Sequence, residues 1–111
     1  FSHKVWHETS PAVGKAKFPL VGDPTHVLTN AFGVHIPEEG LALRGTFIIN
    51  PEGVIKTAEI HDNAIARDVS ETLRKLKAAQ YVASHPGQVC PAKWKEGAKT
   101  LAPSLELVGK I

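Results

Sequence analysis

The chain has 111 residues, 42% of them hydrophobic, which is room for one domain at most. Thirteen Lys and Arg face eleven Asp and Glu, and the formal net charge of +2 is too small to point to nucleic acid as a partner. No stretch approaches the ~20 apolar residues of a membrane span, so no membrane partner is expected. A single cysteine provides no disulfide framework, which makes a reducing cytoplasm the expected compartment.

The chain contains no methionine, so the expectation is a processed or cut piece of a longer protein. Phe1 opens no signal peptide, because Lys4 is the only positive charge nearby and no apolar run follows it. Residues 2–9 read as one or two turns of helix. Ser10-Pro11, a hydroxyl cap followed by proline, marks a second helix start. Phe18-Pro19-Leu20-Val21 reads as a short strand bounded by Gly22-Asp23-Pro24. Asp23-Pro24 repeats the cap-then-proline signal, and Val27, Leu28, Ala31 and Phe32 share one helical face that Gly33 ends. Residues 34–43 read as loop.

The next signal is β. Residues 45–50 and 54–60 flank Asn50-Pro51-Glu52-Gly53, a type I turn pattern, and predict a hairpin. Ile65, Val69, Leu73 and Leu76 recur at spacings of three and four and predict a helix over 64–84. Glu71 and Lys75 are placed for an i,i+4 pair on it. His85-Pro86-Gly87 ends that helix, and residues 88–111 form a tail with little periodicity. The order of elements is α/β and fits the second half of a thioredoxin-type sheet, with a bare edge and half a core.

Cys90 has no second thiol in the chain, so it is an inert tail cysteine, a ligand, or one half of a bond to another chain. Its place between Pro86-Gly87 and Pro91, outside any periodic apolar segment, argues against a core thiol. Arg44, at the entrance of the first hairpin strand, is either a surface charge or a guanidinium that lowers a nearby thiol's pKa and grips an oxygen substrate. His3 and His7 are one helical turn apart, but two ligands are too few for a closed metal site, and a surface pair is the expectation. Lys93-Trp94-Lys95 with Lys99 mimics a base-stacking surface, yet Trp94 docked on protein is the better account.

Gly87-Gln88-Val89-Cys90-Pro91-Ala92-Lys93-Trp94-Lys95-Glu96-Gly97, Thr100-Leu101-Ala102-Pro103-Ser104-Leu105 and the ending Val108-Gly109-Lys110-Ile111 resemble the C-terminal tail of the bacterial alkyl hydroperoxide reductase C family. These are typical two-cysteine peroxiredoxins. The resemblance extends to Phe1-Ser2-His3-Lys4, Gly22-Asp23-Pro24, Arg44-Gly45-Thr46-Phe47 and Lys77-Ala78-Ala79-Gln80-Tyr81, and is nearest to Pseudomonas-type members. It implies a C-terminal portion of the thioredoxin-like fold over 1–86 and a tail over 87–111 that carries the resolving cysteine, Cys90. The loop that holds the family's peroxidatic cysteine has no counterpart in these residues.

What the resemblance implies for function is a thiol-dependent peroxidase acting on hydrogen peroxide and organic hydroperoxides. Arg44 would stabilise the peroxidatic thiolate and the peroxide. Cys90 would form a disulfide with a second copy of the chain, reopened by a flavoprotein disulfide reductase. Ser2 and its neighbours would build contacts in a ring of dimers. No cofactor or metal is implied. The alternative is an inactive structural or ring-assembly fragment. The loop Pro37-Glu38-Glu39-Gly40-Leu41 lacks the double glycine of easily over-oxidised members, which implies resistance to excess peroxide.

Overall fold

A computed structural model describes residues 1–110 and separates into two compact units, Phe1–Ala42 and Leu43–Ile111, of which Ile111, the last residue of the tail motif, lies outside the described residues. In the first unit, α1 spans Ser2–Thr9 as expected. The helix expected from Ser10-Pro11 is a single 3₁₀ turn, Val13–Lys15. Ala12, not Ser10, holds its cap position, while Ser10 Oγ accepts from the Val13 amide at 3.3 Å from farther upstream. The helix goes no further because the chain turns back onto α1. His7 Nε2 lies 3.1 Å from the Ala16 carbonyl, and a Cβ on Gly14 would stand 3.0 Å from the His7 carbonyl. Glycine makes that approach without crowding, where any larger residue would push the His7 carbonyl back by a few tenths of an ångström.

The strand expected at 18–21 does not form. Phe18 and Val21 are well exposed and the segment has no regular structure. A strand exists through its ladder, and Pro19 removes one of the few donors available to build one. Helix α2, Val27–Ala31, forms where the apolar face predicts. Asp23 caps it from farther upstream than a standard cap position: its two carboxylate oxygens accept from the Leu28 amide at 3.2 Å and the Thr29 amide at 2.9 Å. Pro24 therefore sits in the preceding turn and not in the helix. Residues 34–43, expected as loop, contain a small antiparallel pair, β1 (His35–Ile36) and β2 (Leu41–Ala42), with His35 opposite Ala42. Val34, just before β1, is buried.

The second unit begins with the predicted hairpin, β3 (Arg44–Ile49) and β4 (Ile55–His61). Its turn is built locally. The Gly53 amide donates to the Asn50 carbonyl at 2.9 Å, and Asn50 Oδ1 accepts from the Glu52 and Val54 amides. Gly53 has φ +81°, the left-handed conformation that follows such turns, and the register slips between Ile48 and Ile49 to absorb the extra residue.

Helix α3, Val69–Ser84, starts five residues later than the start at 64 that the periodicity predicts. The cause is Asp68, whose carboxylate accepts from the Ser70 amide at 2.9 Å and so fixes the first turn. Upstream, Asp62 ties the chain into a separate turn through the Ala64 and Ile65 amides. The expected Glu71–Lys75 pair is replaced by two better partners. Glu71 forms a bidentate pair with Arg74, 2.7 Å for each bond, and Lys75 bonds Glu59 of β4. The mixed helices and strands agree with the α/β thioredoxin-like reading. Beyond His85 the tail is irregular but held, with an isolated antiparallel bridge between Val89 and Leu101 and a 3₁₀ turn at Leu105–Leu107.

Candidate functional site

Cys90 follows immediately on the bridge that joins Val89 to Leu101, with N–O distances of 2.8 and 3.0 Å. The bridge closes residues 89–101 into a loop, and Cys90 sits half-buried at its base. Prolines and glycines leave this segment unable to form a helix or long strand, so side chains hold it instead. Trp94 is the anchor, only 2% exposed. Its Nε1 donates to the Ala98 carbonyl at 3.0 Å, and its ring lies 5.3 Å from that of Tyr81 on α3. Tyr81 in turn stacks on His85 at 3.9 Å. Gln88 and Thr100 join the two stems of the loop at 2.8 Å. With its indole packed away, Trp94 is docked on protein, as expected, and offers no face to a base.

Arg74 links helix and loop. Its Nε and Nη2 donate to Glu71, and its Nη1 donates to the Trp94 carbonyl at 2.8 Å. The hydrogen bonds to Glu71 raise the Arg74 pKa above its ordinary value; burial opposes this, the Glu71 charge adds to it, and Cys90 makes a smaller contribution of the same sign. Reciprocally, Arg74 holds the Glu71 carboxyl below its ordinary range. A groove of about 590 Å³ opens beside Cys90, and Lys56, Arg74, Lys75 and Lys93 are among the residues lining it. Lys93 has φ +62°, a left-handed conformation in which few side-chain-bearing residues settle. The groove can therefore receive a negatively charged group next to a thiol.

Arg44 lies elsewhere. It opens β3 opposite His61, and its Nε donates to the Asn63 carbonyl at 2.9 Å. Thr57, which lines the Cys90 groove, and His61, which faces Arg44, are four residues apart on β4, roughly 13 Å along a strand. The fold thus sets the Cys90 groove and Arg44 against different stretches of β4. Two arginines that the sequence reading passed over join the picture. Arg67 reaches the Gly45 carbonyl at 3.3 Å and the Thr46 hydroxyl at 3.5 Å, at the same strand entrance as Arg44, and Arg74 stands by Cys90. The i,i+3 spacing of Glu71 and Arg74 was the one signal available for the latter.

Between β4 and α3, Glu59 accepts from Lys75 at 2.5 Å and pairs with His61 at 2.8 Å. Its carboxyl is lowered chiefly by the Lys75 hydrogen bond, against burial, with the Lys75 and His61 charges adding to it. In the first unit His7 is engaged by the Ala16 carbonyl, and His3 and His7 line a shallow groove with Phe18 and Leu20. Among the described residues no group of three or more His, Cys, Asp or Glu is placed to hold a metal ion, and no helix is long and apolar enough to cross a membrane.

Comparison with known proteins gives two family matches, the AhpC/TSA family over residues 1–58 and the C-terminal domain of 1-Cys peroxiredoxin over residues 78–110. The chain is 87% identical, over all 111 residues, to alkyl hydroperoxide reductase C of Pseudomonas aeruginosa and spans 59% of that protein's length. Among solved structures it is similar to Enterococcus faecalis AhpC, with TM-score 0.75 and 45% identity over 80% of this chain and 53% of that one. It is also similar to the reduced 2-Cys peroxiredoxin of Plasmodium vivax, with TM-score 0.85 and 30% identity over 95% of this chain and 55% of that one. The fold is accordingly thioredoxin-like, of the peroxiredoxin kind.

Proposed function

The chain belongs to the AhpC/TSA family, and on that premise we propose that it serves a thiol-dependent peroxidase that reduces hydrogen peroxide and organic hydroperoxides to water and alcohols. The observation that carries this reading is the 87% identity, without interruption of coverage, to a protein named alkyl hydroperoxide reductase C. The peroxidatic cysteine belongs to sequence outside these 111 residues, which hold Cys90 alone. Residues 1–86 are the C-terminal part of the thioredoxin-like domain, and residues 87–111 are the tail that carries the resolving thiol.

In the proposed cycle a peroxidatic thiolate attacks the O–O bond, becomes a sulfenic acid and releases an alcohol or water. Arg44 favours the thiolate and polarises the peroxide. Cys90 of a second copy then attacks the sulfenic sulfur, forming the S–S bond and expelling water. A flavoprotein disulfide reductase returns both thiols by exchange, with two electrons from its own dithiol. A separation of Cys90 from Arg44 suits this division of labour, because the thiol is used in another subunit's site. Ring contacts between dimers near Ser2, and a cytoplasmic location, complete the reading. No cofactor is assigned to this subunit.

The single cysteine favours one competing reading, an assembly piece without peroxidase activity. Intact-mass measurement of the natural protein, followed by a nonreducing gel after peroxide treatment, separates the two. The peroxidase reading expects a mass well above 12.0 kDa and a disulfide-linked dimer that dithiothreitol collapses. A mass of 12.0 kDa with no peroxide consumption would leave only the assembly role.

A further inference from the structure

The loop that carries Cys90 must open for its thiol to reach a sulfur on another chain, so whatever holds the loop shut sets how readily Cys90 is released. Several attachments are visible. The Val89–Leu101 bridge and the Gln88–Thr100 hydrogen bond close the stems, and the Trp94 indole packs on Tyr81. A further one is Arg74, which donates Nη1 to the Trp94 carbonyl at 2.8 Å across 20 positions of sequence. Lys77 and Glu96 also approach, but at 3.5 Å and largely exposed, where an ion pair contributes little.

Arg74 differs from the other attachments in being prearranged. Two of its donors are committed to Glu71, which orients the planar guanidinium and aims Nη1 at the loop backbone. The same guanidinium lines the groove beside Cys90. One side chain therefore joins helix α3, the backbone of the anchor residue and the edge of the thiol's groove. We propose that Arg74 is the positioning residue that latches the Cys90 loop against α3, with Glu71 orienting it, so that release of the latch gates delivery of Cys90 to its partner sulfur. This rests on the reading of Cys90 as the resolving thiol.

The test measures loop opening directly on the reduced natural protein, with Cys90 alkylation read on its own peptide by mass spectrometry. The rate of Cys90 alkylation by iodoacetamide, divided by the rate for the same chain in denaturant, gives the open fraction. Arg74→Gln is expected to raise it about tenfold or more, the fold-change that a hydrogen bond from a charged donor is worth. Arg74→Lys, which keeps one charged donor, is expected to fall between the two. Glu71→Gln, which leaves Arg74 present but unoriented, is also expected to speed alkylation. Amide hydrogen exchange across β3 and β4 is expected to stay as in the native chain. Unchanged alkylation in both Arg74→Gln and Glu71→Gln would overturn the latch. So would a rise matched by exchange across β3 and β4, since that marks general loosening of the unit. Should circular dichroism show Arg74→Gln unfolded, Glu71→Gln decides alone, a faster rate supporting the latch and an unchanged one overturning it. The measurement is made on reduced thiols without peroxide, so a Cys90 that never forms an intersubunit bond would refute the proposed cycle without touching this result.

Discussion

Arg44 and Cys90 show how much a single residue type tells and where it stops. Cys90 is legible because a lone thiol among prolines and glycines has few bland explanations, and because its flanking words are specific. Arg44 is legible only through the words around it, since an arginine at a strand entrance is ordinarily a surface charge. The structure gives it a backbone partner, the Asn63 carbonyl, which orients the guanidinium. On the proposed function, in a protein that also carries the peroxidatic cysteine, Arg44→Ala is expected to slow the second-order reaction of that thiol with peroxide by about tenfold or more, because one unit of thiol pKa corresponds to ~1.4 kcal/mol. Stopped-flow rates at neutral pH that match the native protein would return Arg44 to the surface. Cys90→Ser is expected to abolish the disulfide-linked dimer on nonreducing gels and the reductase-coupled cycle, while the first turnover with peroxide survives. Arg74 was illegible for a physical reason: its contact joins a helix to an irregular loop 20 residues on, and no local periodicity records such a pairing.

At the scale of elements, what the sequence revealed was what local chemistry decides. The β3–β4 hairpin follows from Asn50, Pro51 and Gly53, all within one turn. The strand expected at 18–21 failed because a strand needs a neighbour, which four apolar residues cannot specify. The start of α3 shows two signals in competition. Ile65 extended the apolar period, but Asp68, with Glu71 three residues on, is a capping pattern, and the cap prevailed. That cap titrates. The Asp68 carboxyl is held below its ordinary value first by the Ser70 hydroxyl and then by the Ser70 amide, against burial. A carboxylate lowered in the folded state contributes stability that is complete above its unfolded value, about 4, and is lost as pH falls through the folded one. Glu71 and Glu59, lowered by Arg74 and Lys75 respectively, act in the same direction. Helicity followed by circular dichroism is therefore expected to hold from neutral pH down to about 4 and to fall below it. Asp68→Ala is expected to lower the thermal midpoint by about 5 °C at pH 7 and to weaken the acid-side loss. A midpoint equal to that of the native chain would show that packing, not the cap, fixes the start of α3.

For the molecule as a whole, burial is the informative quantity. Among the described residues the buried apolar side chains are Val34 and Trp94, while Phe18 is 68% and Val69 76% exposed. Ile55 and Leu73, on β4 and α3, are half exposed. A domain of this length ordinarily buries roughly two thirds of its unfolded surface and draws its stability from that. The two ends of the hairpin and helix are well specified here by turns, caps and ion pairs, but those interactions contribute direction more than net stability. The 111-residue chain by itself is therefore expected to keep its helices in far-UV circular dichroism while binding a hydrophobic dye strongly and unfolding over a broad temperature range. The relatives it matches are longer, with this chain covering 59% of the Pseudomonas aeruginosa protein. Joined to the corresponding further sequence, the same residues are expected to lose dye binding and to unfold in a sharper transition, because β4 and α3 then have apolar surface to pack against. Calorimetry decides the point. A single peak for the 111-residue chain alone, with calorimetric and van't Hoff enthalpies in agreement, would mean that the little burial within each unit, at Val34 in the first and at Trp94 in the second, suffices for cooperative folding. It would also mean that exposure at Phe18, Ile55 and Leu73 is tolerated surface and not an unfilled interface.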